Sequence, residues 1–126
     1  MDRQIFVDRL LESENLTDNL EDEAANTLIK WGIGQIDHLI DGKDDETAGA
    51  KVNQLMSLMR AVNSLAGDPS AISLAPLFKL LNRFAQTFDK DHQISESERQ
   101  AVVQEISHMQ PQEAVSYLLK WMDSKL

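Results

Sequence analysis

"EAANTLIKW", residues 23–31, returns as "EAVSYLLKW" at residues 113–121, with Glu, Ala, Leu, Lys and Trp identical at five of the nine positions. In the first stretch Ala24, Leu28 and Trp31 fall at i, i+4 and i+7, and in the second Ala114, Leu118 and Trp121 do the same. That spacing puts each set on one face of a helix. The Lys before each Trp lies on another face and can reach water. Both stretches therefore read as amphipathic helices with a small residue at one end of the buried stripe and an indole at the other. Trp31, Leu28, Trp121 and Leu118 are the predicted anchors. Tryptophans at helical spacing fill cores far more often than they form ligand platforms.

The segments before them echo as well. "DRQIFVDRL" at residues 2–10 resembles "ERQAVVQEI" at residues 98–106, with Arg, Gln and Val matched and acidic and aliphatic ends in correspondence. Both echoes come in the same order, and the connection in the first copy is six residues longer. The expectation is a helical hairpin present twice, at 2–31 and 98–121, packed around two central helices.

Helix signals run along the whole chain, and six helices are predicted. The first covers 2–13, with Ile5, Phe6 and Leu10 on its apolar face and Leu11 on a flank. A polar link, Ser13–Asn19, follows. The second covers 20–41 and stops at Gly42, because glycine accepts the left-handed backbone that ends a helix. The third covers 45–66, opened by Asp44-Asp45-Glu46, whose charge suits the positive end of the helix dipole. The fourth covers 73–88, with Pro76 in its first turn, where the missing N–H costs little. The fifth starts from Ser95, with Glu98 three residues on, the pattern of a capping box. The sixth opens at Pro111, a favoured first helical position. No strand-like alternation competes. The fold class is all-α, a six-helix bundle in a single domain over residues 1–126.

Composition agrees. The 126 residues are 42% apolar and 26% charged, and there is no cysteine. Disulfides and thiolate metal sites are thereby excluded, and a chain of this length needs no staple to bury a core. Met1-Asp2-Arg3-Gln4 shows no basic region before an apolar one, so no signal peptide is expected. No apolar run is long enough for a membrane span. The expected location is cytoplasmic. The net charge is −9, and all of the excess lies in residues 1–46, which hold 13 acids and 4 bases. That half repels phosphate backbones, which disfavours nucleic acid. It either solvates the surface or steers a basic partner.

Residues 73–88 are the most apolar segment. Lys79, Asn82, Arg83 and Gln86 form one narrow polar stripe, and Leu, Ala, Phe and Pro fill the rest. A helix of that kind is buried around most of its circumference. Phe78 is a predicted core anchor. If part of its apolar face is exposed, Lys79, Arg83 and Phe84 face a partner, together with Asp18, Glu21 and Asp22 of the acidic half.

Gly32 and Gly34 sit inside the second helix, where each costs about 1 kcal/mol relative to alanine. The simplest compensation is close approach of a neighbouring helix. "GIGQID" is no nucleotide fingerprint, since no strand precedes it and the third glycine is missing.

"FDKDHQISESE", residues 88–98, carries Asp89 and Asp91 at the first-and-third spacing of a calcium loop, with Ile94 and then Glu98 opening the next helix. Here the chain resembles an EF-hand. It differs in having ten residues from Asp89 to Glu98 where the EF-hand has 12, and in lacking the central glycine. Residues 84–100 also resemble the helix–turn–helix of tellurite-resistance B-type proteins, small acidic helical domains linked to metal stress, without that family's Asp-Gly pair at this turn. Either resemblance implies Ca²⁺ or Mg²⁺ held by Asp89, Asp91 and Glu98. The residues alone read as a polar interhelical loop ending in a capping box. No other cofactor is implied.

Catalytic patterns are thin. Glu105 and His108 form one Glu-x-x-His pair, whereas a di-iron bundle needs two pairs and two further glutamates. Asp37, His38 and Asp41 share a helix edge that could gather a cation or simply be solvated. No Gly-x-Ser-x-Gly, phosphate loop or His-Glu-x-x-His occurs. The expected function is a non-enzymatic interaction or scaffold domain with a protein partner, or a homodimer. The alternatives are a cation-binding module using residues 89–98 and an enzyme.

Overall fold

The computed structural model describes residues 2–67 and 95–125. Within them lie five helices and no strand: α1 (Arg3–Glu12), α2 (Asp22–Ile40), α3 (Asp45–Gly67), α4 (Glu96–Ile106) and α5 (Pro111–Lys125). The all-α class holds. The predicted helix at 73–88, with Phe78, Lys79, Arg83 and Phe84, lies outside the described residues.

Local chemistry sets the helix ends. The Asp2 carboxylate accepts the Gln4 N–H at 2.9 Å and caps α1. Asp44 accepts the Thr47 N–H at 2.7 Å and caps α3. Ser95 Oγ accepts the Glu98 N–H at 3.1 Å and lies 3.4 Å from the Glu98 carboxylate, so this end is a capping box. Gly42, with φ +68°, is the left-handed residue that stops α2.

Helix α3 is central and packs on α1, α2 and α5, while α1 lies on α2 and α4 on α5. Its buried stripe, Val52, Leu55, Met56, Leu58, Met59 and Val62, meets Leu10 of α1, Leu28 and Ile36 of α2, and Leu118 and Met122 of α5 in one core.

The two echoed segments bury corresponding positions. Leu28 and Leu118 are fully enclosed, Ala24 and Ala114 are buried, and Lys30 and Lys120 are exposed. Before them, Phe6 and Leu10 are buried, as are their counterparts Val102 and Ile106. Trp31 is buried, whereas Trp121 is half-buried at the edge of the core. The helix starts differ in the first segment of each pair. Asp2 is a cap, but its counterpart Glu98 already stands in the first turn of α4.

The predicted face of α1 is corrected. Ile5 is 62% exposed and Leu11 54% exposed, while Val7 is buried with Phe6 and Leu10. Phe6, Leu10 and Val7 span about 100° of the helix, with Ile5 and Leu11 on opposite flanks. Polar ties on both sides hold this rotation: Arg3 Nε meets Asp37 Oδ1 of α2 at 2.6 Å, and Arg9 donates to Asn53 of α3.

The link between α1 and α2 is clamped. Arg60 donates to Ser13 Oγ at 2.6 Å. Asn63, almost fully buried, donates to the Asn15 carbonyl at 3.0 Å and to Asp18 Oδ1 at 2.7 Å, and its Oδ1 accepts the Asn19 N–H at 2.9 Å. Gln112, in the first turn of α5, donates to the Asn19 carbonyl at 3.1 Å, and its Oε1 accepts the Glu21 N–H at 3.4 Å. Leu16 is thereby pinned in the core. The start of α5 stands beside the start of α2.

Candidate functional site

With those helix starts side by side, the two echo helices leave a groove of about 530 Å³ between them. Helix α2 contributes Glu23, Ala24, Thr27, Lys30, Trp31, Gly34 and Gln35 to its wall, the i, i+4, i+7, i+11 stripe of one helix face with its flank. Helix α5 contributes Ser116, Leu119, Lys120 and Asp123, and Glu21 stands at the mouth. The buried floor is formed by Ala24, Trp31, Leu119 and Gln35, apolar except for the Gln35 amide. The rims are charged and exposed. Lys30 and Lys120, the lysines that precede the two tryptophans, both stand on this groove.

Gly34 distinguishes this groove from a packing gap. Among the described residues, nothing stands within 4 Å of a Cβ built there. The expectation that a neighbouring helix compensates for both mid-helix glycines thus holds at Gly32 and fails at Gly34. At Gly32 a Cβ would come within 2.8 Å of Met59 Sδ. Gly34 opens onto the groove and leaves α2 backbone accessible there.

Two other concavities are less suited to a ligand. The cleft between α1 and α3, lined by Ile5, Asp8, Arg9 and Arg60, is wide open, and both arginines already hold fold contacts. At the end of α2, Asp37, His38 and Asp41 line a shallow dip. Asp37 is paired with Arg3, and among the described residues no group of three or more His, Asp or Glu can hold a metal ion.

The remaining sequence candidates disperse. Asp18 is tied to Asn63, so its carboxylate serves the link. Glu21 and Asp22 are exposed. Glu98 serves the capping box with Ser95, and Asp89 and Asp91 lie outside the described residues. Glu105 ends its turn of α4, but His108 follows the helix end at Ile106, so the pair shares no helix. Among the described residues Asp44, through the Thr47 N–H and hydroxyl, and Glu96, through its hydrogen bond with Arg99, sit below the usual carboxyl range. Both belong to helix starts and not to the groove.

The groove was not predicted, although two signals for it stand in the sequence. One is a lysine at the same place in both echo stretches, and the other is a second glycine with no packing role. Among the described residues no helix is long and apolar enough to cross a membrane. Comparison of the chain with protein-family models, with curated proteins and with solved structures finds no match.

Proposed function

We propose that the chain is a non-enzymatic interaction domain that docks a segment of a protein partner between α2 and α5. One observation carries this reading: the two echo helices line a groove with an apolar floor, charged rims and an unpacked backbone glycine. Helix-lined grooves of this composition suit peptide segments, with apolar contact supplying affinity and the rim charges setting register. The architecture behind it is a six-helix bundle in which the hairpins 2–31 and 98–121 are two copies of one unit. The matching burial of Ala24 with Ala114, Leu28 with Leu118 and Leu10 with Ile106 supports that reading. The clamped link supports docking too, because it fixes Glu21 and the start of α2 against the start of α5 before any partner arrives.

A photo-cross-linking residue at Thr27, exposed on the groove wall, tests the reading in the cells that make the protein. Expected is a discrete cross-linked partner from Thr27 that is absent from Ser57 on the α1–α3 cleft. Equal capture from both faces would contradict it.

A further inference from the structure

The groove carries an order of charge as well as a shape. Glu21 and Glu23 stand at the end where both helices begin. Two turns further along α2 comes Lys30, and Lys120 stands on the facing wall, with Asp123 one turn beyond it. The apolar floor of Trp31 and Leu119 lies between the walls. Along α2 the lining runs from Glu21 to Gln35, about 21 Å at the helical rise of 1.5 Å per residue. That is about four turns of a docked helix.

We propose that the occupant is an amphipathic helical segment of another protein. Its apolar stripe lies on Trp31 and Leu119, its carboxylates face Lys30 and Lys120, and its cationic residues face Glu21 and Glu23. The inference rests on the docking reading above and deepens it by naming the partner's chemistry. Charge complementarity selects this occupant. An all-acidic segment meets Glu21 and Glu23, and an all-basic one meets two ammonium groups over the floor, so each places like charges together. A second copy of the chain brings its own acidic half, in which residues 1–46 hold the whole net charge of −9. The partner's cationic end is also favoured at a distance, since the acidic half draws cations before contact.

The test uses two synthetic helical peptides of the same composition and about 15 residues, long enough to span the groove at the helical rise. The matched peptide has Arg at the end over Glu21 and Glu23 and Glu over the lysines, and the reversed peptide exchanges them. Binding is read by fluorescence anisotropy at low salt. The matched peptide is expected to bind at least about tenfold tighter than the reversed one. The double variant Lys30→Glu, Lys120→Glu abolishes the preference, because both ends of the groove are then acidic. Gly34→Gln, whose Cβ meets no described residue, weakens the matched peptide at least about tenfold while the melting temperature holds or rises. Loss of binding in that variant is therefore not loss of fold. Equal or tighter binding of the reversed peptide overturns the inference. So does matched binding untouched by Gly34→Gln, or no binding of either peptide at about millimolar concentration. A wild-type dimer that Gly34→Gln dissolves assigns the groove to a second copy and overturns it too. In each case a Thr27 cross-link to a partner still stands or falls separately, which keeps the docking reading distinguishable.

Discussion

Met59 of α3 occupies the space where a side chain on residue 32 of α2 would begin. A Cβ added to Gly32 would lie 2.8 Å from the Met59 sulfur and 2.9 Å from its terminal carbon, with Leu10 Cδ1 at 3.3 Å. The glycine thus lets α3 come in close against α2. In the echo register the counterpart of Gly32 is Met122, itself fully buried. The two echo stretches differ where α3 takes the place of a side chain. Gly32→Ala gains about 1 kcal/mol of helix propensity, but it forces an enclosed thioether to move in a filled core, which costs about 1–3 kcal/mol. The expected result is no net stabilisation by urea denaturation. In a Met59→Val background the same substitution becomes favourable by at least about 0.5 kcal/mol more. Additive effects of the two substitutions would contradict the contact.

Gly34 is the control built into the same helix. Among the described residues nothing stands within 4 Å of its missing Cβ, so Gly34→Ala stabilises the fold by about 0.5–1 kcal/mol. Destabilisation in denaturant would show that the groove is filled in the folded chain.

Asn63 ties the chain between α1 and α2 through its amide, with partners at Asn15, Asp18 and Asn19. Asn63→Ala leaves the Asn15 carbonyl and Asn19 N–H without those bonds and frees Leu16 to leave the core. The expected cost is about 2–3 kcal/mol in chemical denaturation. Amide exchange in residues 13–21 speeds up more than in α3. Uniform acceleration through the molecule would contradict a local clamp.

Asp44 gives a pH signature. The Thr47 N–H, and then its hydroxyl, hold the Asp44 carboxyl below its usual range. A depressed folded value means that the unfolded state takes up its proton first as the solution is acidified. The stabilisation is therefore complete above the unfolded value of about 3.9, and it is lost as pH falls through the lower folded value. Asp44→Asn keeps a capping acceptor without the charge. The stability gap between wild type and variant is constant near neutrality and narrows below about pH 4. A gap that stays constant through acid would contradict the assignment.

Calcium tests the capping role of Glu98. With its N–H and carboxylate both engaged by Ser95, Ca²⁺ titrated to about millimolar, the range of weak extracellular sites, is expected to give no binding heat. Saturable heat lost in Asp89→Asn would support the cation reading instead.

The parts of this molecule that are legible in sequence are those fixed by neighbours along the chain. Ser95 with Glu98, Gly42 and Pro111 mark helix ends through bonds spanning a few residues, and the structure places ends there. The i, i+4, i+7 spacing of Ala24, Leu28 and Trp31 predicts their burial for the same reason. What eludes the sequence depends on distant partners. Ile5 and Val7 are equally apolar, and which one turns inward depends on how α1 packs against α2 and α3, with Arg3–Asp37 and Arg9–Asn53 tying its flanks. Asn63 looks like a solvated position on a long helix until the Asn15–Asn19 backbone folds over it. The groove lies between α2 and α5, whose starts Gln112 ties together through Asn19 and Glu21. No local pattern announces that juxtaposition.

The most direct test of a docking groove between the echo helices is an amide map by NMR with the matched peptide added. The amides of Gly34 and Thr27, both groove residues, are expected to shift with saturation, while those of Gly42 and Gly49, away from it, stay in place. Shifts centred on Arg9 and Arg60 of the α1–α3 cleft, with Gly34 unmoved, would contradict the account.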